Sequence, residues 1–226
     1  MKNSEDFNQL WKNAGILFGI TLVAGILLGF VHELTKEPIA YQQELKIQKA
    51  CGAVFSDAAS FEAVALPGQD SSLTESDTVG SSEQNGSTAN GFAMEELNME
   101  GAEIGMVYRA LAENGEVLGY VINTTGKEGY GGDIELMLGI RMDGTLNGVS
   151  ILSISETPGL GMRAGEVLVP QFAGRQVSSF TYVKTGAVTE DQIDAISGAT
   201  ITTAAFTQAV NAGLSYFNVM LKEGEY

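Results

Sequence analysis

The uncharged run from Ala14 to Val31 constrains the fold of this chain more than any other feature of the sequence. As an α-helix these residues reach roughly 27 Å, close to the ~30 Å hydrocarbon thickness of a bilayer. Trp11 and Lys12 precede the run and are typical of an interfacial anchor. A cleaved signal peptide is the alternative, but no small-x-small cleavage pattern follows the run. We predict a transmembrane helix at 14–31 behind an N-terminal tail at 1–13.

Glycines are concentrated on one face of this predicted helix. Two G-x-x-x-G pairs fall within an arc of about 120°, and their members are Gly15, Gly19, Gly25 and Gly29. Lipid gives helices no hydrophobic reason to associate, so a smooth face favours close packing against a second membrane helix. We therefore predict a membrane partner. Lysines occur on both sides of the run, so charge bias does not choose an orientation.

The charge balance excludes one large class of partner. Lys and Arg total 12 against 28 Asp and Glu, a formal net charge of −16 that repels phosphate backbones. We expect no nucleic acid partner. The single cysteine, Cys51, excludes an intrachain disulfide and any multi-cysteine metal site, and the single histidine, His32, leaves no histidine pair for a metal. We predict no metal site.

The chain after the span divides by composition. We predict a helical stalk leading into a domain at 32–66, opened by Pro38 at the first helical position, with an inner face of Leu45, Ile47, Ala50 and Val54. Residues 67–91 are Ser, Thr, Gly, Asp, Asn and Gln with scarcely any large apolar side chain. Such a segment does not repay the entropy of ordering, so we predict a flexible polar insertion. The folded domain occupies 92–226.

Two similar hairpins open that domain. Met106 to Ile122 reads as strand, Asn114-Gly115 turn and strand, and Glu135 to Leu152 repeats this pattern around Asp143-Gly144. The two pieces align at a constant offset that also pairs Gly119 with Gly148. A duplicated hairpin builds one antiparallel sheet. With the helices around it, the fold class is α+β.

Two glycine-rich loops flank the second hairpin. Gly126 to Gly132, which includes Tyr130 and Gly131, suits close approach of the backbone to a ligand. Glu156 to Gly161 combines Pro158 with two glycines and is able to lie flat against a planar ring. Ordinary connecting loops are the alternative for both segments.

The stretch from Asp194 to Thr200 predicts a helix start. An apolar period of three to four follows it, through Ala205, Phe206, Ala209, Val210, Gly213, Phe217 and Met220. Ser197 is the predicted cap, and Thr200 lies in the first turn. Free N–H groups and the positive dipole end make such a start an anion site, and the small Gly198 and Ala199 let a phosphate approach. An ordinary capped helix is the alternative.

A second capping pattern comes just before this stretch. Thr189 followed by Gln192 forms a capping box, which predicts a short helix ahead of Asp194. The Asp194 carboxylate is then expected to cap backbone N–H groups rather than do acid–base work. Arg163 and Arg175 lie near the second loop in sequence, where either an acidic surface or a phosphate would pair with them.

These motifs carry a resemblance to a known family. Asp194 to Thr200 resembles the flavinylation motif of FMN-binding domains, in which the phosphate of FMN esterifies the final threonine. Glu156 to Gly161 and Gly129 to Ile134 are also similar to that family, and the N-terminal span with its stalk resembles the G subunit of the Rnf electron transport complex. The resemblance covers nearly the whole chain and departs from it only in the polar insertion at 67–91.

The resemblance implies a set of functional residues and a place in the cell. FMN would be covalently attached to Thr200, installed by a flavin transferase, with no catalytic residue in the chain. The implied cofactor contacts are Tyr130, Gly131, Glu156, Thr157, Gly159, Leu160, Gly161, Asp194, Ser197, Gly198 and Ala199. The implied protein is a single-pass component of the cell membrane with its FMN domain on the extracytoplasmic side.

By the same resemblance, the protein transfers electrons beside other membrane and peripheral subunits in a complex that couples ferredoxin:NAD electron transfer to sodium or proton transport. The C subunit of the sodium-translocating NADH:quinone reductase shares the threonine motif and is one alternative. A Leu-Trp-Ser sequence is expected there, whereas this chain has Asp133-Ile134-Glu135 and its one tryptophan is Trp11. A non-redox membrane-tethered module that binds a phosphate-bearing ligand reversibly is the other alternative.

Overall fold

The computed structural model describes residues 3–64 and 101–222, which form two compact units divided after Leu45. The predicted insertion at 67–91 lies outside the described residues. Helix α1 (Asn3–Val54) contains the predicted span, and its stretch Trp11–Thr35 is long and apolar enough to cross a membrane by length and composition. None of that stretch is buried against other parts of the protein.

The predicted helix start at Pro38 is wrong, because α1 passes through this position without a break. Proline lacks the N–H donor and its ring crowds the preceding turn, which disfavours it inside a helix, but here the helical backbone continues on both sides of position 38. The remaining fold belongs to the unit that begins at Lys46.

Five strands form one antiparallel sheet in the order of the sequence. They are β1 (Ser60–Val64), β2 (Ala102–Leu111), β3 (Val117–Gly126), β4 (Ile134–Arg141) and β5 (Leu146–Ser153). The two predicted hairpins are β2–β3 and β4–β5, and β3 pairs with β4 to join them. The predicted antiparallel sheet and the α+β class are confirmed.

The two hairpin turns have the same local geometry. Gly115 and Gly144 adopt φ values of 81° and 89°, a left-handed conformation that favours glycine. Before the first glycine, the Asn114 side chain accepts a hydrogen bond from Glu116 N at 3.0 Å. Before the second, the Asp143 side chain accepts one from Thr145 N at 2.8 Å. The duplication seen in the sequence is therefore a duplication of structure.

One face of the sheet packs against the long C-terminal helix α4 (Thr200–Tyr216), which continues as a π-helical turn at Phe217–Leu221. The apolar period predicted for α4 is confirmed: Ala205, Phe206, Ala209, Val210, Gly213 and Phe217 are buried. Phe206 stacks on Phe172 with ring centroids 5.6 Å apart. Burying a phenylalanine of this kind contributes about 1.5–3 kcal/mol, which helps to hold α4 in the core.

The other face of the sheet packs against the last turns of α1. Ala50, Cys51, Val54 and Phe55 are buried there in a cluster of their own with Ala110, Val121 and Met137. Arg141 lies over the Phe55 ring, 5.6 Å from its centroid, and binds Asp57 at 2.9 Å. Asn147 donates a hydrogen bond to the carbonyl of Val54. The inner face predicted for this part of the chain is therefore present at Ala50 and Val54.

Short elements join β5 to α4. They are a 3₁₀ turn (Gly161–Arg163), α2 (Ala164–Val167), α3 (Val169–Phe172), β6 (Thr181–Val183) and β7 (Gln192–Asp194). The short helix predicted from Thr189 and Gln192 is wrong, because residues 192–194 pair as a parallel strand with β6. The Gln192 side chain accepts a hydrogen bond from Val188 N at 3.3 Å, so it does not close a capping box on Thr189.

Candidate functional site

Helix α4 begins with a tight turn that holds itself together. Ala199 N donates to Ile196 O at 3.0 Å, and Gly198 within this turn has φ +80°. The Thr203 hydroxyl accepts from Ile196 N at 3.1 Å and donates to Ala199 O at 2.9 Å. The predicted capping role of Ser197 is wrong, since Ala199 is the N-cap and no side chain caps the helix.

The absence of a side-chain cap leaves the start of α4 open. Thr203 N is the first donor satisfied inside the helix, by Ala199 O at 3.0 Å. Within the described residues, the N–H groups of Thr200, Ile201 and Thr202 have no hydrogen-bond acceptor. Three free donors at the positive end of a 17-residue helix are arranged to bind an anion. Thr200 is the first residue of α4 and its side chain is exposed, as predicted.

An open cavity of about 470 Å³ lies at this helix start. Its size is within the range of small-molecule sites. Most of the predicted cofactor contacts line it: Tyr130, Glu156, Thr157, Leu160, Gly161, Gly198, Ala199 and Thr200. Ile201 and Thr202 complete the lining and were not predicted. The three motifs, which are far apart in the sequence, therefore meet at one place.

The lining contains both polar and apolar side chains. Glu156 and Thr202 are buried, whereas Tyr130, Ile201 and Leu160 expose 71%, 54% and 41% of their surface. No lysine or arginine is among the lining residues. The backbone N–H groups of α4 are thus the donors available for a phosphate, and the exposed apolar side chains provide surface for a flat ring. Arg175 instead donates to Glu190 O and Gln192 O, at 2.9 and 2.7 Å.

Glu156 connects segments of the chain that surround the cavity. Its Oε2 accepts a hydrogen bond from the Thr202 hydroxyl at 2.9 Å, and its Oε1 accepts from Gly131 N at 3.2 Å. The residue is 7% exposed. Since Gly131 lies in the loop between β3 and β4 and Thr202 in the first turn of α4, a single carboxylate connects the segments that carry all three motifs.

The loop glycines also pack closely against the protein itself. A Cβ atom at Gly161 would lie 2.6 Å from Thr202 Oγ1 and 2.7 Å from Glu156 Cβ. One at Gly131 would overlap Ser155 O, and one at Gly129 would overlap Gly132 O. These glycines therefore allow close approach of one protein segment to another.

Four predicted contacts lie outside the lining: Gly131, Gly159, Asp194 and Ser197. Gly159 has φ +78° in the turn closed by Leu160 N and Thr157 O at 3.1 Å, so it shapes the loop. The Asp194 carboxylate accepts from Ala187 N at 3.0 Å, and its backbone N–H donates to Gln171 Oε1 at 2.7 Å. Asp194 therefore caps backbone N–H, as predicted, but in a neighbouring loop.

The fold and the cavity define an α+β domain with an open helix start whose free N–H groups are arranged to bind an anion. Residues 129–215 match the family model described as an FMN-binding domain, and residues 1–54 match the one described as the RnfG N-terminal region. The G subunit of the Na(+)-translocating ferredoxin:NAD(+) oxidoreductase complex of Acetobacterium woodii is 32% identical over 222 residues, which cover 96% of each chain. The protein belongs to this RnfG family.

Two further relatives also carry the name of a G subunit. The G subunit of the ion-translocating oxidoreductase complex of Methanosarcina acetivorans is 28% identical over 97% of this chain and 99% of its own. The G subunit of the proton-translocating ferredoxin:NAD(+) oxidoreductase complex of Clostridium ljungdahlii is 38% identical over 45% of this chain and 54% of its own. The crystal structure of Shewanella oneidensis NqrC covers 50% of this chain and 57% of its own, with 22% identity and a TM-score of 0.42.

The family match settles the choice between the Rnf G subunit and the C subunit of the NADH:quinone reductase, which share the threonine motif. The match of residues 1–54 and the named relatives confirm the predicted RnfG family. Together with the apolar helix at Trp11–Thr35, they identify a membrane protein with one spanning helix in its described part.

Proposed function

We propose that this protein is the electron-carrying G subunit of a membrane complex that couples electron transfer between ferredoxin and NAD to the transport of sodium ions or protons, with FMN covalently joined to Thr200. The names of the relatives from Acetobacterium woodii and Clostridium ljungdahlii supply the reaction class and the two candidate ions. The observation that carries the proposal is the exposed residue Thr200, which lines an open cavity beside three free N–H donors.

The start of α4 fits a phosphate diester. A diester keeps one negative charge, and the N–H groups of Thr200, Ile201 and Thr202 supply donors for its oxygens without a cationic side chain. Gly198 and Ala199 leave room on the approach to the hydroxyl because they have no bulky side chain. The residue proposed to carry the covalent bond and the N–H groups proposed to bind the phosphate therefore lie at the same place.

Attachment requires an activated donor, because condensing an alcohol with free FMN in water would release water. We infer that a flavin transferase uses FAD, in which a phosphoanhydride links FMN to AMP. The Thr200 oxygen forms a bond to the FMN phosphorus, the anhydride bond to AMP breaks, AMP leaves with the anhydride oxygen, and the hydroxyl proton passes to a base of the transferase or to water. No residue of this chain needs to act as a nucleophile other than Thr200.

The rest of the cavity would hold the ring. Bound FMN supplies one- and two-electron transfer, and the chemistry belongs to the cofactor. Tyr130, Leu160 and Ile201 provide exposed apolar surface for the ring, while Glu156 and Thr202 are buried and hydrogen-bonded to each other. The chain binds, orients and partly shields its cofactor.

We also place the FMN domain on the extracytoplasmic side, beside other subunits of the complex. A covalent tether is useful there because a cofactor that dissociates outside the cytoplasm is lost. The relatives are each one subunit of a complex, which supports further subunits as partners.

Intact-mass measurement after denaturation tests the proposal. Full-length protein from cells with an active flavin transferase should retain the mass of one FMN phosphoryl adduct and fluoresce in a denaturing gel. Thr200→Val, which keeps the branched shape and loses the hydroxyl, should lose both signals.

Thr157→Val is the matched control, since Thr157 lines the same cavity from the loop after β5. This variant should keep the adduct. An unmodified wild-type protein would contradict covalent attachment, and FMN that leaves on denaturation would favour the reversible binding module.

A further inference from the structure

Both carboxylate oxygens of Glu156 are used inside the protein. Oε2 accepts from the Thr202 hydroxyl at 2.9 Å and Oε1 from Gly131 N at 3.2 Å. Within the described residues Glu156 forms no ion pair. A buried carboxylate that binds only two neutral donors is costly to keep unless those two contacts matter.

The two donors lie in segments that border the cavity. Thr202 lines the cavity two residues after Thr200 in the first turn of α4, and Gly131 follows the lining residue Tyr130 in the loop between β3 and β4. The loop after β5 also packs tightly against this carboxylate, since a Cβ atom at Gly161 would lie 2.8 Å from its Oε2. A shift of this carboxylate would therefore move Thr200 and Tyr130 relative to each other.

A second set of contacts holds the loop between β3 and β4 that carries Tyr130. Lys127 Nζ binds Asp133 at 2.9 Å and Glu103 at 2.8 Å, and Lys127 N donates to Gly101 O at 2.8 Å. These contacts close the loop on itself and on β2. Within the described residues these contacts do not include α4, whereas the hydrogen bonds of Glu156 connect the loop to the first turn of that helix.

We propose that Glu156 is a positioning residue for the attachment of FMN. Through its hydrogen bonds to Thr202 and Gly131 it fixes the Thr200 hydroxyl and the neighbouring Tyr130 in the geometry that phosphoryl transfer requires. The inference rests on the proposed function. It differs from a role as proton acceptor for Thr200, because positioning needs only the two hydrogen bonds and not the negative charge.

A glutamine at this position separates the two roles. In Glu156→Gln the amide oxygen accepts from Gly131 N, and the amide nitrogen donates to the Thr202 oxygen, whose hydroxyl is free to rotate. The variant keeps both contacts and has no carboxylate to take up a proton. Glu156→Ala loses both contacts, Thr202→Val loses one of them, and Thr202→Ser keeps it.

The experiment measures FMN transfer to the full-length protein. Unmodified protein made without the transferase is mixed with purified flavin transferase and FAD, and adduct formation is followed by intact mass at several protein concentrations. We expect kcat/KM to fall about tenfold or more in Glu156→Ala and Thr202→Val, mostly through kcat, since small displacements of a reacting group cost large factors in rate. Glu156→Gln and Thr202→Ser should stay within about threefold of wild type, on the wild-type pH–rate profile.

Each other outcome overturns a specific statement. If Glu156→Gln is as slow as Glu156→Ala, or loses one limb of the pH–rate profile, the charge acts directly and the positioning role is wrong. Wild-type kcat/KM in a folded Glu156→Ala also rejects it. If Glu156→Ala fails to fold by circular dichroism, equal rates for Thr202→Val and Thr202→Ser reject it. A wild-type protein that accepts no FMN, or a Thr200→Val variant that accepts it, rejects the proposed function instead.

Discussion

Gly139 on β4 faces Val54 in the last turn of α1 so closely that a Cβ atom at Gly139 would lie 2.8 Å from Val54 Cβ and 2.9 Å from Val54 O. Two neighbours on adjacent strands share this arrangement: a Cβ at Gly119 would lie 2.8 Å from Phe55 Cζ, and one at Gly148 would lie 3.5 Å from Val54 Cα. Glycines on three adjacent strands thus form a groove in the sheet that receives the end of α1.

This groove predicts a large effect for a very small substitution. Gly139→Ala should lower the free energy of unfolding by about 1–3 kcal/mol, because the added methyl group overlaps Val54 in a packed interface. Gly165→Ala is the control, since its Cβ would meet only Ile151 Cδ1, at 3.8 Å. Thermal unfolding of the full-length protein in detergent measures both. Equal melting temperatures for the two variants would contradict the tight contact at Gly139.

The ion pair of Arg141 and Asp57, beside the groove, predicts that the stability of the fold depends on pH. The hydrogen bond from Arg141 lowers the pKa of Asp57 from its ordinary value of 3.8. A carboxyl whose pKa is lower in the folded state contributes stability above its unfolded pKa and loses it as the pH falls through the folded pKa. The side chains of Arg141 and Asp57 are 35% and 47% exposed. We therefore expect the pair to contribute only about 0.2–1 kcal/mol to the free energy of unfolding.

Urea unfolding at pH 7 and pH 3 measures this contribution. Asp57→Asn should lower the midpoint at pH 7 and have little effect at pH 3, where wild type has begun to lose the pair. Glu113→Gln removes an exposed carboxyl that has no ion pair within the described residues and serves as the control. A loss of stability in Asp57→Asn that is the same at both pH values would contradict an electrostatic origin.

The sequence predicted those parts of the fold that local chemistry decides. Asn114-Gly115 and Asp143-Gly144 determine their own turns, because the glycine adopts positive φ and the side chain before it binds the backbone. The apolar period of α4 determines its buried face in the same way. Thr200 was placed correctly because a helix start depends on the few residues around it.

Predictions failed where a distant segment decides the outcome. Gln192 pairs with Thr181 on β6, so tertiary pairing overrides the capping pattern at Thr189. Thr203, three residues after Thr200, holds the turn before α4 through Ile196 N and Ala199 O, and the helix starts without the predicted Ser197 cap. The Glu156–Thr202 hydrogen bond joins residues 46 positions apart, and no spacing rule reports such a contact.

The close contacts at Gly161 lead to a prediction about cofactor loading. Gly161→Ala should reduce the rate of FMN attachment, because the new methyl group would displace Thr202 Oγ1, 2.6 Å away, and Glu156 Oε2, 2.8 Å away. Gly165→Ala, four residues on, is the control and should load normally. Intact mass against time measures both. A Gly161→Ala protein that loads at the wild-type rate would show that the Glu156–Thr202 contact tolerates displacement.

The glycine face of α1 predicts where other membrane proteins of the complex bind. A Cβ atom at Gly15, Gly19, Gly25 or Gly29 meets nothing within 4 Å, so this face is uncovered in the described residues. Gly25→Leu, like Gly19→Leu, should weaken co-purification of membrane partners by blocking close helix packing, with FMN attachment intact. Ala24→Leu places the same leucine side chain on the opposite face of the helix and should co-purify normally. Equal losses in both variants would contradict a specific face.

The sidedness of the FMN domain is testable because the native thiol is inert. Cys51 is 2% exposed, and burial raises its pKa to about 11, so it should not react with a maleimide at pH 7 until the protein is denatured.

In whole cells, a membrane-impermeant maleimide should label Ser178→Cys, at an exposed position of the domain. A cysteine replacing Ser4, on the other side of the span, should be labelled only after the membrane is opened. The reverse pattern would put the FMN domain in the cytoplasm and remove the reason proposed for a covalent tether, while leaving attachment at Thr200 to be judged by mass alone.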